Sequence, residues 1–242
     1  MPYFTSLFNA FPSHSFKRLA LPVAIKHREQ QMFVSHRIED FAGLAETEGQ
    51  GHLIKDDEIS TVVKNQQGLI VKFVKARRWH EYYKVFYGAS RTSKEVQSNV
   101  RLKELGIAVP DILEYGIALV PTHFFGYTGF YVMRPAPGLG EAHEHLTALP
   151  REANTQFANQ LIQDLSTLKK HRIIYGDLAL RNIFCSATGN LCWIDTGIDE
   201  FSPRQQKRFE RKWKASIEQF IRWDSPKGLL SDDAWAQIKA LA

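Results

Sequence analysis

Cysteine is nearly absent from this chain of 242 residues. Only Cys185 and Cys192 occur, too few for the disulfide framework of a small secreted domain. Both fall in a strand–turn–strand pattern and are expected as reduced core thiols rather than as a cross-strand disulfide. Long apolar runs are missing as well, and nothing approaches the roughly 18 residues that a membrane-spanning helix requires. The stretch Leu19–Ile25 is short, contains Pro22 and is followed by no small-residue cleavage site, which makes it a poor signal peptide. No internal repeat or low-complexity tract is visible. These absences give the expectation of a cytoplasmic globular protein.

What is present fits that expectation. Apolar residues make up 44% of the chain and charged residues 24%, an ordinary globular balance. The length allows one large domain or two small lobes. A formal charge of +5 favours anionic partners such as phosphates, a lipid surface or nucleic acid, without choosing among them.

Along the chain, residues 1–40 read as an N-terminal extension. Its aromatics (Tyr3, Phe4, Phe8, Phe11, Phe16) mix with Lys17, Arg18, Lys26 and Arg28, a composition suited either to a membrane-touching arm or to a segment packed on the body. From 41 to 134 the pattern is sheet-rich. Ile59–Lys64 and Leu69–Val74 are β-branched runs around the turn Asn65-Gln-Gln-Gly68, and a third strand is expected before Gly49. Residues 92–105 read as a helix capped by Thr92 or Ser93, with Val96, Val100 and Leu105 as its apolar stripe and Gly106 as its stop. Ile112–Gly116 and Phe130–Arg134 supply two more strands. Pro135, Pro137, Gly138 and Gly140 then make a hinge, and 135–242 turns helical. Phe157, Leu161, Leu165 and Leu168 line one helix, and Phe209, Trp213, Ile217 and Ile221 another. Between them Ile183–Cys185 and Leu191–Ile194 form a hairpin around Thr188-Gly-Asn190. The predicted class is therefore α+β: an antiparallel sheet with one helix, followed by a mainly helical lobe.

The strongest chemical signal is Gly176-Asp177-Leu-Ala-Leu-Arg181-Asn182 followed, after the hairpin, by Ile194-Asp195-Thr-Gly197. Phosphoryl transfer asks a protein for positioning and charge neutralisation rather than covalent help. One carboxylate must orient the acceptor hydroxyl, for which Asp177 stands in a loop after a helix. An amide oxygen and a second carboxylate must hold magnesium, and Asn182 and Asp195 offer that hard-oxygen chemistry. Each piece alone is common; the order of pieces is not. In the sheet-rich part Lys72 lies mid-strand among apolar residues, where an ammonium should be paired or bound to phosphate; a solvent-facing lysine is the alternative. Glu95 is its expected partner, with Glu104, 2.5 turns further along the helix, as the rival. Gly49-Gln-Gly51 would let backbone N–H groups approach phosphates, or simply make a turn. His143-Glu-His145 reads as a surface loop rather than a metal site, and the basic run Arg204–Lys214 as a solvated helix face or an anion-facing one.

These stretches resemble the protein-kinase-like superfamily, and specifically the lipopolysaccharide core kinases that phosphorylate Kdo or heptose. The resemblance covers roughly residues 41–222. It is carried by Leu-Ile-Val-Lys72, by Tyr87-Gly-Ala-Ser-Arg-Thr-Ser-Lys-Glu95 leading into Leu105-Gly-Ile-Ala-Val-Pro110, and by Gly176-Asp177 through Asn182 to Ile194-Asp195. It implies a two-lobed kinase fold, with ATP and Mg2+ as requirements. By it, Asp177 is the catalytic base with Arg181 beside it, Asn182 and Asp195 are metal ligands, and Lys72 with Glu95 positions phosphates. The implied partner is an inner-core acceptor at the cytoplasmic face of the inner membrane, with peripheral membrane contact and no nucleic acid. Tyr175 stands where many kinases have His, and Thr196 where they have Phe. Asp177 through Asn182 also resembles the catalytic loop of protein tyrosine kinases, but no Ala-Pro-Glu follows Asp195. A kinase of soluble small molecules or antibiotics, a protein kinase and a non-catalytic pseudokinase are the other readings.

Overall fold

The structure is a computed structural model, and it describes residues 14–25, 28–38, 51–86, 89–119 and 126–242. The chain is α+β and divides into two compact units. One comprises residues 1–97 and 111–135, the other 98–110 and 136–242.

The first unit is built on an antiparallel sheet of seven strands in the order β1-β2-β6-β7-β5-β4-β3. Its strands are β1 (His14–Ile25), β2 (Arg28–Arg37), β3 (His52–Asp56), β4 (Ser60–Lys64), β5 (Ile70–Lys75), β6 (Ile112–Ala118) and β7 (Tyr127–Met133). Residues 14–25 and 28–37, within the segment read as an N-terminal extension, are strands of the sheet, as a segment packed on the body would be. β2 pairs with β6 from Phe33↔Ala118 to Arg37↔Glu114, which a free arm cannot do. The strand expected before Gly49 lies outside the described residues, while β3 follows Gly51.

Strand alternation sends the two faces of β5 to different places. Val71 and Phe73 join Phe33, Tyr127 and Phe130 in one apolar cluster. Val74 joins Val96, Ile112 and Tyr131 in another. Lys72 shares the parity of Val74 and so belongs to this second face. Val96 comes from helix α2 (Arg91–Glu104), preceded by a short α1 (His80–Phe86). The cap of α2 is Ser90, whose Oγ accepts from Ser93 N at 3.1 Å, so Thr92 and Ser93 lie inside the helix. Its apolar side runs through Val96 and Leu102, whereas Val100 is exposed. Gly129 of β7 permits a close approach by α2, because a Cβ there would meet Thr92 Oγ1 and the Gly116 carbonyl.

The second unit is mainly helical. A short β8 (Gly140–Glu141) leads to α3 (Ala142–His145), α4 (Arg151–Lys170) and β9 (Ile173–Tyr175). The hairpin β10 (Ile183–Cys185) and β11 (Leu191–Trp193) follows, then β12 (Ile198–Glu200), α5 (Gln206–Asp224) and α6 (Asp232–Ala240). Phe157, Leu161, Leu165 and Leu168 of α4 meet Phe209, Trp213, Ile217 and Phe220 of α5, and Trp235 and Ile238 of α6, in one core. Gly189 makes the turn between β10 and β11 at φ +84°, where a Cβ would also run into the Ala153 carbonyl. The cysteines are free and buried. Cys185 sits opposite Leu191, and Cys192 opposite Phe184, so their side chains leave the hairpin on opposite faces.

Candidate functional site

In the first unit, Lys72 Nζ lies 3.2 Å from Glu95 Oε2, with both side chains less than a tenth exposed. Strand parity puts the lysine on the face that α2 covers, and the helix brings Glu95 down to it. Glu104 is elsewhere, exposed and 3.1 Å from Arg101. Two further groups hold Glu95. Tyr131, directly opposite Lys72 across β5 and β7, donates its hydroxyl to Glu95 Oε2 at 2.9 Å. Arg91, one turn earlier on α2, donates Nε to Glu95 Oε1 at 2.8 Å. Both carboxylate oxygens are therefore occupied by charge-assisted bonds, the arrangement that lets an ionised carboxylate stay buried. Arg91 and Tyr131 escaped sequence reasoning, although Arg91 and Glu95 stand at i, i+4 spacing and that was the available signal.

In the second unit, β9 ends at Tyr175 and the chain turns through Asp177 into a single helical turn at Leu180–Asn182. Asn182 Nδ2 donates to the Asp177 carbonyl at 2.7 Å. Arg181 Nη2 donates to both carboxylate oxygens of Asp177, at 3.0 and 2.9 Å. Asp177 is exposed and anchored only at one side, so its carboxylate is oriented yet open to a ligand. Beneath the loop, the Leu180 amide donates to Asp224 Oδ2 at 3.3 Å, while Lys227 Nζ lies 2.7 Å from Asp224 Oδ1. Asp224 is 1% exposed. It comes from the far end of α5, 44 residues on, and no local pattern marks it.

The hairpin returns the chain to the same loop. Ile194 N donates to the Asn182 carbonyl at 2.9 Å, and Gly176 N to the Gly197 carbonyl at 2.8 Å. The Tyr175 hydroxyl donates to the Ile194 carbonyl, and its ring packs, tilted by 45°, against buried Trp193 with 4.7 Å between centroids. Asp195 follows at φ +58°, one of two non-glycine residues with positive φ among those described. Such a backbone is uncommon for a side-chain-bearing residue and is held here by the bonds on either side. Asp177, Asn182 and Asp195 are thereby gathered by one set of backbone bonds. Since Asn182 uses its Nδ2 on the Asp177 carbonyl, its Oδ1 is the end left for a ligand, and Asp195 is exposed; amide and carboxylate oxygens are both hard donors.

No family model matches the chain, and neither does any curated protein.

The remaining candidates divide. Gly49 lies outside the described residues. Gly51 precedes β3, where a Cβ would stand 2.9 Å from the Lys64 carbonyl, so strand approach alone accounts for a glycine there. His143-Glu-His145 is helical rather than a loop. Glu141, His143 and Glu144 place ligand atoms within 4.8 Å of one another on that surface, and the His145 ring packs over Gly140. A further buried carboxylate was not foreseen. Asp164 of α4 is 7% exposed and accepts from Trp193 Nε1 at 2.7 Å. Burial pushes its carboxyl up to about 6, against the lowering effect of the indole bond.

Proposed function

We propose that the chain is an ATP-dependent phosphotransferase with a two-lobed, protein-kinase-like fold, and that it phosphorylates a Kdo or heptose hydroxyl of the lipopolysaccharide inner core. The observation that carries this reading is the second-unit loop: an oriented, open carboxylate at Asp177, bonded through Asn182 to the hairpin that ends at a left-handed Asp195. The buried Lys72–Glu95 pair supports it independently, because a lysine fixed by a carboxylate on a covered sheet face is suited to phosphate oxygens.

In this reading Asp177 accepts the proton of the acceptor hydroxyl as its oxygen bonds to the γ-phosphorus and the bond to the β-phosphate oxygen breaks, releasing ADP. Arg181 keeps Asp177 aimed. Asn182 and Asp195 would hold Mg2+, which when bound neutralises charge on the phosphates. Lys72 contacts phosphate oxygens, while Arg91 and Tyr131 keep Glu95 in place to orient it. The acceptor class follows from the resemblance. The exposed cations of α5, Lys207, Arg208, Arg211 and Lys214, suit an anionic acceptor better than a cationic antibiotic.

The test is transfer of labelled phosphate from ATP to purified core acceptors, with the mass of core oligosaccharide compared in cells with and without the protein. Transfer by the wild type that is lost in Asp177→Asn supports the reading. No transfer to any core acceptor, and no phosphate-sized mass difference, would refute it.

A further inference from the structure

The strand β5 ends at Lys75, and the chain leaves the sheet through Arg77 and Arg78 into α1. Val85 of this short helix, 2% exposed, packs with Val34 and Ile117 of the sheet. Trp79, just before the helix, is 73% exposed, and Tyr83 on it is 57% exposed. Their rings meet edge to face at 5.6 Å and 88°, so the two aromatics form one projecting knuckle rather than two loose side chains. Tryptophan is seldom left so open on a folded protein.

The charges of the segment are mostly positive. Arg77, Arg78 and Lys84 are exposed, and they outnumber the one acid, Glu81, which accepts from the Arg77 backbone N–H at 3.0 Å. A projecting Trp–Tyr pair ringed by arginine and lysine matches the headgroup zone of an anionic bilayer, where amphipathic rings settle and cations meet lipid phosphates. We propose that the Trp79–Tyr83 knuckle is a membrane-contact surface that seats in an anionic lipid interface. This goes beyond the proposed function, resting on that reading for its biological setting but not for its chemistry.

Binding of the full chain to vesicles of phosphatidylcholine, alone or mixed with phosphatidylglycerol, tests it by co-sedimentation. The wild type is expected to bind the mixed vesicles and release in salt, with tryptophan emission shifting blue and quenched by brominated lipid. Trp79→Ala with Tyr83→Ala should remove the shift and most of the bound fraction. Arg77→Glu and Arg78→Glu should each weaken binding to the mixed vesicles about fivefold or more. Both pairs of sites are exposed, so circular dichroism should be unchanged. Mixed vesicles that bind wild type and the Trp79→Ala/Tyr83→Ala variant equally would overturn the inference. No binding by the wild type would also overturn it, and would leave the knuckle to a protein partner. Phosphate transfer to a soluble acceptor, measured in parallel, separates this failure from that of the phosphotransferase reading.

Discussion

Replacing Asp164 by Asn should make the second unit more stable at neutral pH, although it removes a hydrogen-bonded core residue. The carboxyl of Asp164 rises from 3.8 to about 6 on folding because it is buried. The folded chain therefore holds a proton between these values that the unfolded chain has already lost. Stability falls as pH rises through that window; the cost is absent below it and complete above about 6. A rise of that size corresponds to about 3 kcal/mol. Asn keeps an oxygen to accept from Trp193 Nε1 and never ionises, but its amide N–H group needs an acceptor, at a cost of about 1 kcal/mol. The variant should thus be about 2 kcal/mol more stable at pH 8, and the two proteins should converge and cross as pH falls towards 4. Urea unfolding followed by tryptophan emission is the assay, since Trp193, Trp213, Trp223 and Trp235 all lie in the second unit. Parallel pH curves for the two proteins would show that Asp164 does not titrate in this window, and the reasoning would fail.

Asp177→Asn should lower turnover by on the order of a hundredfold or more while leaving nucleotide affinity unchanged, as measured by calorimetry beside steady-state kinetics. Asp195→Asn should instead weaken Mg-nucleotide binding by about tenfold, and equal affinities in the two proteins would contradict its metal role. Glu95→Gln should destabilise the first unit by about 3 kcal/mol, because one carboxylate serves Lys72, Arg91 and Tyr131 together. Lys72→Met should cost less, since two partners remain on Glu95; the order of their urea midpoints decides it. Asp224→Ala should cost about 2 kcal/mol by stranding the Leu180 amide, and should lower turnover without changing nucleotide affinity.

The placement of the candidate residues was legible where local pattern encodes it. Alternation through Leu-Ile-Val-Lys72-Phe marked a lysine on a covered face, and the spacing from Asp177 to Asn182 to Asp195 required a hairpin that β10 and β11 supply. What was not legible is long-range. Tyr131 reaches Glu95 across 36 positions, Trp193 reaches Asp164 across 29, and Leu180 reaches Asp224 across 44. A carboxylate in a helix reads as solvated until its partner is known. The first two strands were hidden by their basic residues, which suggest an arm until pairing with β6 is seen. The cap of α2 was misplaced by two or three residues because Ser90, Thr92 and Ser93 all have capping chemistry, and only backbone geometry separates them.

The register of the β10–β11 hairpin has one more consequence. Two thiols seven residues apart face away from each other, and both are shielded from water, so an oxidant cannot join them while the fold holds. A thiol reagent reaches either one only when this stretch comes apart. Its labelling rate is then a clock for how often the segment running from Asn182 to Asp195 opens, readable without substrate or nucleotide.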